Sequence, residues 1–197
     1  MKRILCMLLF ATSLEATDVE VGAQHVVSIP RDEGTLDIEV SRGFGAHAEV
    51  FWRDTVSTRF TATFLNPAAI LFPENPPPSD VDLGTLGLDI YSATARYHFG
   101  SRLSGFAGGG AALVVIGNLD DQFGEDVELE FDQETTFVVE GGLRYRFRPS
   151  IVLELGVTYL PLEAEPEMLR ANDPRYPLPS TVTVNPVIVS AGAAWRF

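Results

Sequence analysis

Lysine is nearly missing from this chain. Lys2 is the only one among 14 basic residues, which face 27 acidic residues for a net charge of −13. Phosphate backbones are held by clustered cations, so nucleic acid is excluded as a partner. Cysteine occurs once, as Cys6. Histidine occurs three times, as His25, His47 and His98, with no pair at the close spacing of a helical zinc site. No metal and no cofactor is expected on that basis. Long apolar runs are also lacking. Beyond the N-terminus none reaches the ~18 residues that a spanning helix needs. A membrane protein with this sequence must therefore cross with strands, because only helices and closed barrels satisfy every backbone group in lipid.

The N-terminus has one short apolar run. Met1-Lys2-Arg3 precedes Ile4 through Ala11, and small and polar residues follow. A positive start, a short apolar stretch and small residues make a secretory signal, with cleavage expected after Ala16. Residues 1–16 are then removed and 17–197 form one domain. Cys6 leaves with the signal, so the mature chain has neither a disulfide nor a thiol. Its net charge becomes about −14.

Eight segments alternate apolar with small or polar residues, at roughly 19–29, 43–53, 56–66, 87–99, 104–116, 134–147, 151–163 and 183–197. A period of two marks extended strands, whose successive side chains point to opposite faces. Each is long enough to cross a bilayer at a tilt, which takes ~9–11 residues. The links alternate between short (54–55, 100–103, 148–150) and long (30–42, 67–86, 117–133, 164–182). The long ones have loop chemistry: Pro73 to Asp80 holds four prolines, 120–130 is acid-rich, and 165–179 holds four more prolines. Tight turns on one side and long loops on the other are the outer-membrane pattern.

The charges sort by face. In 134–147 the set Phe137, Val139, Gly141, Leu143, Tyr145 and Phe147 opposes Thr136, Val138, Glu140, Gly142, Arg144 and Arg146. In 43–53 the set Phe44, Ala46, Ala48, Val50 and Trp52 opposes Gly45, His47, Glu49, Phe51 and Arg53. An Arg facing the bilayer midplane costs about 2–4 kcal/mol in a barrel, so the charged face belongs inside. The expected lumen network is Glu20, Glu49, Arg53, Arg59, Arg96, Glu140, Arg144, Arg146, Glu154 and Arg196, with the histidines satisfied in the same lumen. Buried charges must be paired, so Arg–Glu ion pairs are expected. Trp52, Tyr97, Phe99, Tyr145, Phe147, Trp195 and Phe197 gather at the short-turn ends, as an interfacial girdle would. The fold expected is all-β: an eight-stranded antiparallel transmembrane barrel with short periplasmic turns and long external loops.

Catalytic chemistry finds little support. His47 and Glu49 are i, i+2 neighbours on one strand, which is not a triad. The acid run 120–130 lacks the spaced Asp/Gly pattern of a Ca²⁺ loop and reads as a solvated loop. Gly108-Gly109-Gly110 opens no helix, so it marks a bend or close approach in a barrel wall rather than a phosphate site.

Three motifs carry a family resemblance. Val184-Asn185-Pro186-Val187 followed by Ala191-Gly192-Ala193-Ala194-Trp195-Arg196-Phe197 resembles the closing N-P-x-hydrophobic…G-x-G-Y-R-F of the outer membrane protein W (OmpW) family. Ala95-Arg96-Tyr97-His98-Phe99 leading to Phe106-Ala107-Gly108-Gly109-Gly110 is similar to its Y-x-F then Y-V-G-A-G pattern. Val139 to Tyr145 matches its G-x-x-Y strand. At Val157-Thr158-Tyr159 the family usually shows V-W-Y, so one aromatic is missing. The resemblance implies a porin-like barrel in the Gram-negative cell envelope, with a narrow channel that passes small hydrophobic molecules and no enzymatic role. The alternative is a structural or adhesion barrel whose lumen is closed by salt bridges and whose acidic loops do the work. Expected partners are membrane lipid, lipopolysaccharide, a small hydrophobic solute, and the barrel-assembly machinery through the C-terminal strand.

Overall fold

The structure, a computed structural model, describes residues 18–30, 36–71, 81–85, 87–117, 127–131, 133–164, 166–171 and 182–197. The signal segment, Cys6, Pro73–Asp80 and most of the 120–130 acid run lie outside the described residues.

Eight strands form a closed antiparallel barrel. They are β1 (Asp18–Ile29), β2 (Ser41–Arg53), β3 (Val56–Leu65), β4 (Leu88–Gly100), β5 (Leu103–Ile116), β6 (Glu134–Arg148), β7 (Ile151–Tyr159) and β8 (Val187–Arg196). Each pairs with its sequence neighbour. β8 closes on β1 from Glu20↔Arg196 to Ile29↔Val187, and Phe197 N donates to Val19 O at 2.9 Å. Closure matters because an open edge would leave unpaired donors facing lipid.

The stagger follows from the register. From Val19 the ladder partners run through Val50, Thr58, Ala95, Gly109, Val139, Tyr159 and Val187, and return to β1 at Ile29. One circuit thus displaces the chain by ten residues. With ~3.3 Å rise and ~4.8 Å spacing, that stagger over eight strands tilts them by about 40°.

Short turns join β2 to β3, β4 to β5 and β6 to β7. Gly100 has φ +105°, which only glycine adopts at low cost. Register shifts at Phe51/Arg53 and Arg146/Arg148 bend the other two hairpins just before their turns.

Two expectations are corrected at the opposite end. The strand expected over 151–163 stops at Tyr159, and that over 183–197 is broken at Asn185-Pro186. Proline supplies no ladder donor, and Pro161 and Pro186 stand at these two breaks. The long segments also contain more strand than their loop chemistry suggested. Leu36–Ile38, Ala68–Leu71 and Val81–Thr85 form one small sheet. Val127–Phe131 pairs with Pro166–Ala171, and Leu162–Ala164 with Val182–Val184.

Burial alternates along every barrel strand with the polarity of a soluble protein reversed. Glu20 and Glu49 are 0 % exposed and Arg59 is 1 %, whereas Leu143 is 55 % and Leu155 58 % exposed. No stable arrangement in water buries ionised side chains and displays leucines. The outward apolar face is a surface for oil.

Candidate functional site

A layer of ionised side chains crosses the bore. Seven of the eight strands contribute: Glu20, Glu49, Arg59, Arg96, Glu140 and Arg144, Glu154, and Arg196 from β1, β2, β3, β4, β6, β7 and β8. Four carboxylates thus meet four guanidiniums. Arg96 holds Glu140 with two hydrogen bonds, Nε to Oε1 at 2.8 Å and Nη2 to Oε2 at 2.5 Å. Its Nη1 also reaches Glu154 at 3.3 Å and Glu49 at 3.5 Å. Arg59 donates to Glu154, to Gln24 Oε1 at 2.7 Å and to Thr61 Oγ1 at 3.2 Å. Arg144 donates to Glu20 and lies 3.2 Å from Glu154. Arg196 pairs with Asp18 and stands 3.8 Å from Glu20. Charges withdrawn from water this far are tolerable only when cross-paired in this way.

β5 contributes space instead of charge. A Cβ on Gly108 would lie 2.7 Å from Ala95 O and 3.0 Å from the Arg96 side chain. Its absence admits Arg96, whose guanidinium carbon sits 4.0 Å over the Phe106 ring. That ring in turn lies where a side chain on Gly142 would be, 2.7 Å away. The triple glycine is therefore a close approach in the wall, as its sequence context suggested.

Both inward histidines are held by arginine. His47 Nδ1 accepts from Arg59 Nη2 at 2.8 Å, and its ring lies against Gly22. His98 Nδ1 accepts from Arg144 Nη1 at 3.3 Å. A guanidinium can only donate, so the proton of His98 is on Nε2, facing Glu49 Oε1 at 3.0 Å and Ser57 Oγ at 2.8 Å. Ser57 Oγ donates to Glu49 Oε1 at 2.5 Å. A serine, a histidine and a glutamate do meet here. Ser57 and Glu49 share one ring nitrogen, however, so His98 does not relay a proton between them as a triad requires.

Above this layer, toward the long-loop end, the bore turns apolar. Val26, Leu65, Ile90, Val114, Val138 and Leu160 are inward-facing and at most 5 % exposed. A cavity of about 30 Å³ remains between the two layers. Below the charges, a cavity of about 680 Å³ opens at the short-turn mouth.

Glu49, Arg59, Arg96, Glu140, Arg144, Glu154 and Arg196 converge in the charged layer, with Glu20. Two residues expected in that network are elsewhere. Arg53 lies past the β2 bulge and Arg146 just before the β6 bulge, and both are exposed. Among the described residues neither has a carboxylate within ion-pair distance. His25 is a further correction. It faces outward beside Phe44, because it shares parity with Val21 and Ala23. Parity extended one step before residue 19 would have found Asp18. Phe51 and Phe106, which pack on the arginines, were not separable in sequence from ordinary core.

Tyr97, Phe99, Tyr145, Trp195 and Phe197 are exposed on the outward parity at the short-turn end, and Phe147, also exposed, stands at the lip of the mouth cavity. Trp52 is half-buried and donates from Nε1 to Thr58 Oγ1 at 2.9 Å. A second group of outward aromatics, Phe44, Phe64 and Tyr91 in ring contact and Tyr159 across the barrel, stands toward the other end. From Phe137 to Phe147 the outward face of β6 rises ~25 Å at the tilt above, the height of an apolar belt in a membrane barrel. This is the fold of an eight-stranded outer-membrane barrel. Solved structures agree. The barrel matches outer membrane protein OprG from Pseudomonas aeruginosa at TM-score 0.71 and 12 % identity, over 92 % of this chain and 96 % of that one. It matches outer membrane protein AlkL at TM-score 0.59 and 18 % identity, over 95 % and 94 %. Ail of Yersinia pestis, bound to a heparin analogue, matches at TM-score 0.58 and 15 % identity, over 91 % and 98 %. At these identities the likeness is one of fold, the eight-stranded outer-membrane barrel that the motif resemblance implied. No protein-family model and no curated protein matches the sequence.

Proposed function

We propose that this barrel resides in the bacterial outer membrane after export by its N-terminal signal, with its short turns in the periplasm. Membrane lipid and lipopolysaccharide surround it, and the barrel-assembly machinery engages its last strand. It admits small apolar molecules from outside into the long-loop half of the bore and releases them sideways. The observation that carries this reading is the apolar layer seated directly on a charged floor. An apolar solute is compatible with Val26, Ile90 and Val114 but is stopped by desolvated Arg96 and Arg59 below them. The wall offers a way out at the same level. Val139↔Tyr159 is the last β6–β7 pair, so Glu134–Val138 ladder with β5 alone. Among the described residues the one hydrogen bond across that seam is from Thr136 Oγ1 to Pro161 O. The test is uptake of apolar compounds by a deletion strain carrying wild-type protein, V114D or I90D. Wild type should restore uptake and the two variants should not, without steady ion conductance in planar bilayers. Uptake indifferent to deletion would refute the reading.

The cross-paired charges inside the barrel support a second reading, a structural or adhesion barrel with a lumen closed by salt bridges that acts through its acidic external loops. That reading predicts no uptake defect on deletion but loss of a surface phenotype when the loops are neutralised. Adhesion to a sulfated polyanion like the one bound to Ail is opposed by the net charge of −13.

A further inference from the structure

The 680 Å³ cavity at the short-turn mouth runs against the charge of the chain around it. Five of the chain's 14 basic residues line it, Arg102, Arg144, Arg146, Arg148 and Arg196, against two carboxylates, Glu20 and Asp54. Its floor is already committed. Arg144 is held by Glu20 and Arg196 by Asp18. Its rim is not. Arg102, Arg146 and Arg148 have no carboxylate at ion-pair distance among the described residues. Arg102 lies 5.4 Å over the outward Tyr145 ring and Arg148 5.6 Å over Phe147, so both guanidiniums stand at the lip of the mouth, while Arg146 N donates to Arg102 O at 2.9 Å. Three cations thus stand on two adjacent hairpins with no carboxylate at ion-pair distance among the described residues. A concave site of this size holds a small molecule, and the planar guanidinium fork fits phosphate oxygens two at a time.

We propose that the lip of this vestibule binds a multiply charged phosphate anion, held by Arg102, Arg146 and Arg148 beside a floor fixed by Arg144 and Arg196. The site is separate from the apolar layer and stands whether or not apolar solutes pass. The phosphate comes either from a soluble compound on the short-turn side or from lipid headgroups at the barrel rim. General attraction cannot produce such binding, because the chain as a whole repels anions.

The probe is inorganic tripolyphosphate, titrated calorimetrically into the full chain refolded in non-ionic detergent. Saturable 1:1 binding is expected, weakening as salt rises. R146Q/R148Q should weaken it by at least about tenfold, the factor that ~1.4 kcal/mol represents. R42Q, at the long-loop end, should leave it unchanged. Should the double variant not refold, R102Q alone is expected to weaken binding about threefold. Repeating the titration in phosphatidylcholine nanodiscs, with and without phosphatidylglycerol, separates the sources. Loss of affinity with the anionic lipid marks headgroups as the ligand, and unchanged affinity marks a soluble one. No saturable binding at low salt, or binding indifferent to all three rim substitutions, overturns the proposal.

Discussion

Removing Arg96 should be among the most damaging single changes in the barrel. Its side chain is 2 % exposed and bonds Glu140 twice while touching Glu154 and Glu49. In R96M the methionine fills part of the space beside Gly108, but Glu140 loses its only ion-pair partner among the described residues and the layer becomes net negative. Breaking a buried pair from one side costs about 3–5 kcal/mol, against a total stability of only ~5–15 kcal/mol. With a urea slope of about 1–3 kcal/mol/M, the midpoint should fall by roughly 1–5 M. Removing both partners is a different perturbation. R96M/E140Q restores neutrality and leaves an amide in place of an orphaned carboxylate, so it should recover about half of the loss. E140Q alone leaves Arg96 with Glu154 and Glu49 and should cost less than R96M. The assay is equilibrium urea unfolding in detergent, followed by tryptophan fluorescence through Trp52 and Trp195, and analysed as a double-mutant cycle. The reasoning fails if R96M unfolds within about 0.5 kcal/mol of wild type. It fails equally if the two single losses simply add.

Leu143→Arg tests the outer face. The residue is already exposed, so in water the change would be worth no more than about 0.5 kcal/mol, whereas in a bilayer it should cost about 2–4 kcal/mol by folding titration into lipid vesicles. Gly22→Val tests the packing of the charged layer. A Cβ there would meet His47 Cε1 at 2.5 Å and Ala193 O at 2.6 Å. The histidine must leave Arg59, so stability should fall by about 1–3 kcal/mol, and a thermal melt with no shift would show that His47 is not held there.

Much of this architecture was legible in the linear chain because its cause is local. The two faces of each strand follow from a backbone period of two, so Glu140, Arg144 and Glu154 could be assigned inward without any partner being known. Loop alternation and strand count followed from the prolines and the lengths between alternating runs. What could not be read depends on register between distant strands. Arg144 meets Glu20 across 124 positions and Arg196 meets Asp18 across 178. No local pattern encodes the ten-residue stagger that sets those heights. The same stagger leaves Arg53 and Arg146 at the mouth instead of in the network, since a residue's face is fixed by its parity but its depth by the closure of the whole ring. Sequence alone determined which face of its strand most side chains occupy. Only the closed barrel decided which charges meet each other.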